Sequence, residues 1–156
     1  MTTNVLLLAF LIGVIAGLRA LTAPAAVSWA GFGHGILNHT AFWFLGRLPA
    51  AIIFTVLALL ELVNDPRPST PSRLKPSGLI PRIVTGALSG ACLAAVDAES
   101  IALGCVLGAM GALVGAFAGY HARAGLVKAL KVPDLPIALL EDAIAIGGAI
   151  FIVTRV

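Results

Sequence analysis

Two adjacent acidic residues lie inside the last apolar stretch of the chain. Glu141 and Asp142 follow Pro136, and the residues after them stay apolar to Val153. A carboxylate in the hydrocarbon of a bilayer is costly unless it is paired, protonated or hydrated. The two acids therefore predict a site that meets them with a cation, a proton, a polar solute or a basic side chain.

Other charged residues border the remaining apolar segments. Glu61 and Asp65 are four residues apart, so they share one face of a helix. Arg82 opens one later segment and Arg123 closes another. Because unpaired buried charges are unfavourable, we expect Glu61 and Glu141 to pair with Arg82 or Arg123.

The acids of this group outnumber those two arginines. The surplus predicts an ion or solute site made of Glu61, Asp65, Glu141 and Asp142. A buried salt-bridge network with a purely structural role is the alternative, and the sequence leaves both open. No metal is assigned to these residues.

Arg19 interrupts the first apolar run, which begins at Val5. The run before Arg19 covers about 21 Å as a helix, and a bilayer core needs about 30 Å. Either Arg19 lies inside one long helix kinked at Pro24, or the helix breaks and a second piece re-enters. Arg19 would extend to the membrane interface in the first case and bind an anion with the help of Thr22 in the second.

The elements that carry these residues are predicted to be membrane helices. The chain has 156 residues, of which 60% are hydrophobic and 11% are charged, whereas about one quarter of the residues in soluble domains are charged. These values indicate an all-α membrane bundle that forms one domain over residues 1–156. The net charge of +3 with scattered basic residues argues against nucleic-acid binding. Cys92 and Cys105 form no CxxC motif, so they indicate neither a disulfide nor zinc.

About five spans are predicted, with a proline-rich loop at 64–78. Their ranges are 5–30, 41–62, 79–96, 101–120 and 136–153. An odd number places the chain ends on opposite sides of the membrane. The excess of basic residues near the loop then predicts a cytoplasmic N-terminus and a C-terminus on the outer side.

Glycines recur at helical spacing in the third and fourth spans. Small residues allow helix backbones to approach closely in a membrane, so we expect helix packing, and an assembly of several copies, along these faces. The residues are Gly86, Gly90, Gly104, Gly108, Gly111, Gly115 and Gly119.

Several short motifs are similar to those of a family of small bacterial multi-pass membrane proteins without an assigned activity. They are Gly17-Leu18-Arg19, Glu61 to Asp65, Thr70-Pro71-Ser72-Arg73, Arg82-Ile83-Val84 and Glu141-Asp142. The resemblance implies a bacterial inner-membrane location. It also implies that the charged residues in these motifs, Arg73 among them, belong to one shared feature.

The main functional hypothesis is a small transporter or channel for a cation, a proton or a small polar solute. One alternative is binding or transport of an anionic lipid, with the head group held by Arg19, Arg73, Arg82 and Arg123. Another is a non-transporting scaffold. The chain contains no nucleophile elbow, P-loop, HExxH or dinucleotide motif, so we expect neither enzyme activity nor a cofactor.

Overall fold

Six α-helices and one short 3-10 helix make up the part of the chain that the structure, a computed structural model, describes: residues 4–64 and 74–156. These residues contain no strand. The helices are α1 (Val5–Leu18), α2 (Thr22–His34), α3 (Leu48–Asn64), α4 (Pro76–Val96), α5 (Ile101–Leu130) and α6 (Asp134–Val153), with the 3-10 helix at Trp43–Gly46.

Capping residues and prolines set several helix starts. The Asn4 side chain accepts a hydrogen bond from the backbone N–H of Leu6 at 3.0 Å, and Ser100 caps α5. Pro76 begins α4, where its missing N–H costs no hydrogen bond. The segment predicted as 41–62 starts only at Leu48, because the residues before it form the 3-10 helix.

Three helices, α4, α5 and α6, are long and apolar enough to cross a membrane, and α1 and α3 are apolar but shorter. The all-helical class is therefore confirmed, while the number of spans stays a prediction. α5 extends ten residues beyond the predicted end at Tyr120. Its C-cap is Lys131, which has a left-handed backbone with φ 52°, so neither Arg123 nor Lys128 ends the helix.

The predicted span 5–30 consists of two helices that run in opposite directions. Near the start of α2, Arg19 contacts Asp142. Near its end, Ala30 lines a cavity with Val153, so α2 runs parallel to α6. α1 runs antiparallel to α6, since Ile15 lies beside Gly148 and Arg19, just after α1, contacts Asp142. The chain therefore breaks after α1 and folds back as a helical hairpin, and residues 19–21 are named here the hairpin tip.

The six helices alternate in direction, which places the start of α1 and the end of α6 at one end of the bundle. The expectation of opposite ends came from an odd number of helices, and the reversal at the hairpin tip makes the number even. The other end, where α3 ends at Asn64 and α4 begins at Pro76, is named here the loop end.

Close backbone packing joins α1, α4 and α5. A Cβ atom added to Gly86 would lie 2.7 Å from the carbonyl oxygen of Gly108, and one added to Gly111 would overlap the carbonyl oxygen of Phe10. Side chains larger than hydrogen do not fit at such positions. All seven glycines named above are buried: two in α4 and five in α5.

Candidate functional site

The hairpin tip lies inside the bundle, deeper than the helix ends that form the loop end. Its neighbours are Arg82, six residues into α4, and Asp142, eight residues into α6, at depths of about 9 and 12 Å from the helix starts. Non-helical backbone at such a depth in a membrane requires internal hydrogen-bond partners. The surrounding charged side chains supply them.

Glu61 satisfies the backbone donors of the hairpin tip. Its Oε1 accepts from the N–H of Ala20 at 2.9 Å, and its Oε2 accepts from the N–H of Leu21 at 3.0 Å. These groups stand at the N-terminus of α2, where the helix dipole also favours a negative charge. A carboxylate from α3, forty residues further along the chain, therefore binds the backbone immediately before α2.

Arg82 satisfies the backbone acceptors beside the tip. Its Nε donates to the carbonyl oxygen of Gly17 at 3.1 Å, in the last turn of α1, and its Nη1 donates to that of Gly78 at 2.7 Å. Its Nη2 lies 3.4 Å from Oε1 of Glu61. One buried guanidinium thus joins the C-terminal end of α1, α4 and the carboxylate that binds the hairpin tip.

Arg19 lies at the break between α1 and α2 and is buried inside the bundle. It is 1% exposed, and its Nε donates to Oδ1 of Asp142 at 2.6 Å, with Nη2 contacting the same oxygen. The anion predicted for a helix break is therefore a carboxylate of the chain itself. Thr22, expected to assist, is buried at the start of α2.

Arg123 forms a second ionic group between α5 and α6. Its Nε donates to Oδ1 of Asp134 at 2.7 Å, its Nη2 contacts Oδ2, and its Nη1 lies 3.5 Å from Oε2 of Glu141. The Asp134 side chain is 52% exposed and that of Glu141 is 10% exposed. The two carboxylates therefore hold Arg123 from the solvent side and from the bundle side.

The structure joins Glu61 to Arg82 and Glu141 to Arg123, the partners expected from the sequence. It also pairs Arg19 with Asp142, although the sequence analysis treated Arg19 separately from the acidic residues. The sequence feature that could have indicated a buried position for Arg19 is the short apolar run before it, which is compatible with a helix break at that residue. Asp65 and Arg73 lie outside the described residues.

The histidines and the acids at the opposite end of the bundle lie at the surface. Asp97 and Glu99 are exposed in the turn between α4 and α5, and His34 and His39 are exposed near the end of α2. Within residues 4–64 and 74–156, no group of three or more histidine, cysteine or acidic residues is placed to hold a metal ion.

These observations define a class: an all-helical protein with three helices able to cross a membrane and a buried charged network around a helix break. Comparisons with protein-family models, curated proteins and solved structures gave no match. The family resemblance carried by the short motifs stays a prediction.

Proposed function

We propose that the protein is a small membrane transporter that binds a proton or a small polar solute at the hairpin tip. The supporting observation is the buried Arg19–Asp142 pair at a break between two short helices. Broken helices and ionisable residues at membrane depth are features of substrate and coupling-ion sites.

The charge balance of the site favours a proton or polar solute over a bare cation. Three arginines (Arg19, Arg82, Arg123) face three buried or partly buried acids (Glu61, Glu141, Asp142). The surplus of carboxylates that first suggested a cation is thereby offset. Protonating one acid would release its arginine, and a polar solute would replace one of the existing hydrogen bonds.

Glu61 offers the simplest route from binding to movement. α3 contacts α2 and the 3-10 helix, and Ala51 is the single buried residue of its fully described range. Loss of charge on Glu61 would weaken its bonds to the N–H groups of Ala20 and Leu21 and to Arg82. The hairpin tip and α3 would then be free to separate, which opens the site from the loop end.

We further propose that the loop end faces the bacterial cytoplasm. Most basic residues of the described ranges lie at or near this end, as expected for a cytoplasmic face. They are Arg19, Lys75, Arg82, Arg123, Lys128 and Lys131, whereas Arg47 and Arg155 lie at the other end. The exposed rings of Trp29 and Trp43 at one end and Tyr120 near the other suit two membrane interfaces. Both chain ends would then lie on the outer side.

The alternative of one lipid head-group site made of Arg19, Arg73, Arg82 and Arg123 receives less support at Arg19 and Arg82. Both arginines are buried and engaged with groups of the chain itself. A non-transporting scaffold remains the competing hypothesis. Assembly into several copies stays a prediction, and the glycine faces expected to mediate it are buried within one chain.

The test is proton flux into liposomes that contain a pH-sensitive dye, driven by a potassium diffusion potential. We expect wild-type protein to conduct protons, and Glu61→Gln and Glu141→Gln to lower the flux about tenfold or more, because glutamine cannot take up and release a proton as a carboxylate does. Glu99→Gln, an identical change in the exposed turn of the other end, is the control and should leave the flux unchanged. Equal flux in all four proteins would reject these acids as the site, and absence of wild-type proton flux would favour the scaffold.

A further inference from the structure

A crevice of about 130 Å³ lies between the C-terminal part of α5 and the N-terminal part of α6. Its inner wall includes Leu18, the residue before the hairpin tip. Its mouth is formed by apolar side chains that are themselves open to the surroundings: Leu126 is 40% exposed, Leu140 is 52% exposed and Ile144 is 56% exposed. The crevice therefore opens sideways, towards the environment of the two helices.

The two polar residues that line the crevice lie next to each other, at the same depth along the helices. They are Arg123 and Glu141, which contact each other, and the remaining lining residues are apolar or glycine. A molecule in this crevice would place hydrocarbon against leucine and isoleucine side chains and a polar group beside Arg123.

The depth of the crevice matches the border of a bilayer. Gly119 and Arg123 lie 18 and 22 residues after Ile101, or about 27 and 33 Å along α5. The hydrocarbon core is about 30 Å thick. If α5 enters the membrane near Ile101, the Gly119 part of the crevice lies among acyl chains and Arg123 lies at the level of lipid phosphates.

The local charge selects the head group. Residues 119–141 contain Arg123, Lys128 and Lys131 against two acids, Asp134 and the crevice-lining Glu141, which gives a formal charge of +1 with His121 neutral. Basic residues beside a membrane helix attract anionic lipids. A neutral, zwitterionic lipid would gain less from this surface.

We propose that the crevice binds one acyl chain of an anionic phospholipid whose phosphate lies beside Arg123. The occupant follows from the sideways apolar opening, the depth of Arg123 and the positive charge of the surrounding segment. This site shares Arg123 with the lipid alternative predicted from the sequence, and it uses neither Arg19 nor Arg82. It requires only that α5 and α6 lie in a membrane and does not depend on transport.

Native mass spectrometry of the full-length protein, supplied with equal amounts of phosphatidylglycerol and phosphatidylcholine, tests this site. We expect wild-type protein to retain one phosphatidylglycerol in preference to phosphatidylcholine. Ala122→Phe, which fills the crevice, should reduce that retention about tenfold. Ala124→Phe is the matched control, because Ala124 is exposed, does not line the crevice and points about 200° away on the same helix.

Two results would overturn the proposal: equal retention by the two phenylalanine variants, or equal retention of both lipids by the wild-type protein. The lipid comparison on wild-type protein keeps the test decisive even if Ala122→Phe fails to fold. Normal lipid retention without proton flux would reject only the transport function, and normal flux without lipid preference would reject only the lipid site.

Discussion

Replacement of Arg19 by leucine is expected to lower the free energy of unfolding by about 3–5 kcal/mol, the usual effect of removing one partner of a buried ion pair. Asp142 would lose its guanidinium partner inside the bundle, and it would then have to remain charged alone or take up a proton. Both outcomes cost free energy. Thermal and denaturant unfolding of the purified protein in one detergent measures the change.

Two further variants separate the ion pair from the loss of any arginine. The Arg47 side chain is exposed, and its guanidinium carbon lies 5.3 Å from the ring centroid of Trp43. Arg47→Leu should therefore lower the free energy of unfolding by no more than about 1 kcal/mol. Arg19→Leu combined with Asp142→Leu should recover much of the lost stability, because no unpaired charge remains. If Arg19→Leu is as stable as Arg47→Leu, the Arg19–Asp142 pair does not hold the hairpin.

The second large effect is expected at the contact between α4 and α5. An alanine methyl group at Gly108 would overlap the carbonyl oxygen of Gly86. Backbone cannot rotate away as a side chain can, so the two helices must move apart. Overpacking of this kind costs about 1–3 kcal/mol, and Gly108→Ala should lower the unfolding temperature accordingly.

Gly125 provides the same substitution on the same helix without the contact. No atom lies within 4 Å of a Cβ added there, and alanine is favoured over glycine in a helix by about 0.5–1 kcal/mol. Gly125→Ala should therefore raise the unfolding temperature slightly, opposite in sign to Gly108→Ala. Changes of the same sign and size at both positions would show that the α4–α5 interface tolerates a larger separation.

The packing faces of the helices follow directly from local sequence. Glycines at spacings of three and four residues must lie on one side of α5, and that side is buried against α1 and α4. The membrane class follows from composition in the same way. Both depend on the type and spacing of neighbouring residues and need no knowledge of distant contacts.

The direction of α2 depends on contacts that the local sequence does not contain. α1 and α2 have 14 and 13 residues, and Pro24 is compatible with a kinked helix as well as with a reversal. The reversal is stabilised by Glu61, forty residues away, and by Asp142, more than a hundred residues away. With the direction of α2 unknown, the sequence does not reveal that Arg19 and Asp142 pair.

The helix ends were also only partly predictable. α5 continues past Tyr120 because alanines and Arg123 favour a helix beyond the apolar stretch. The predicted membrane span ended where the hydrophobic run ended, and the residues after it were expected to be only partly helical. The additional turns bring Arg123 opposite Asp134 and form the crevice wall at Leu126.

The fold-back of the chain at the hairpin tip is tested most directly by one distance in reconstituted protein. Spin labels at Leu7 and Gly33, exposed positions on α1 and α2, can be introduced after replacing Cys92 and Cys105, and pulsed electron resonance then gives their separation. Both helices contact α6, and packed helix axes lie about 8–10 Å apart, so we expect a distance of about 25 Å or less. A distance near 39 Å, the length of about 26 residues of continuous helix, would contradict the hairpin and with it the buried site.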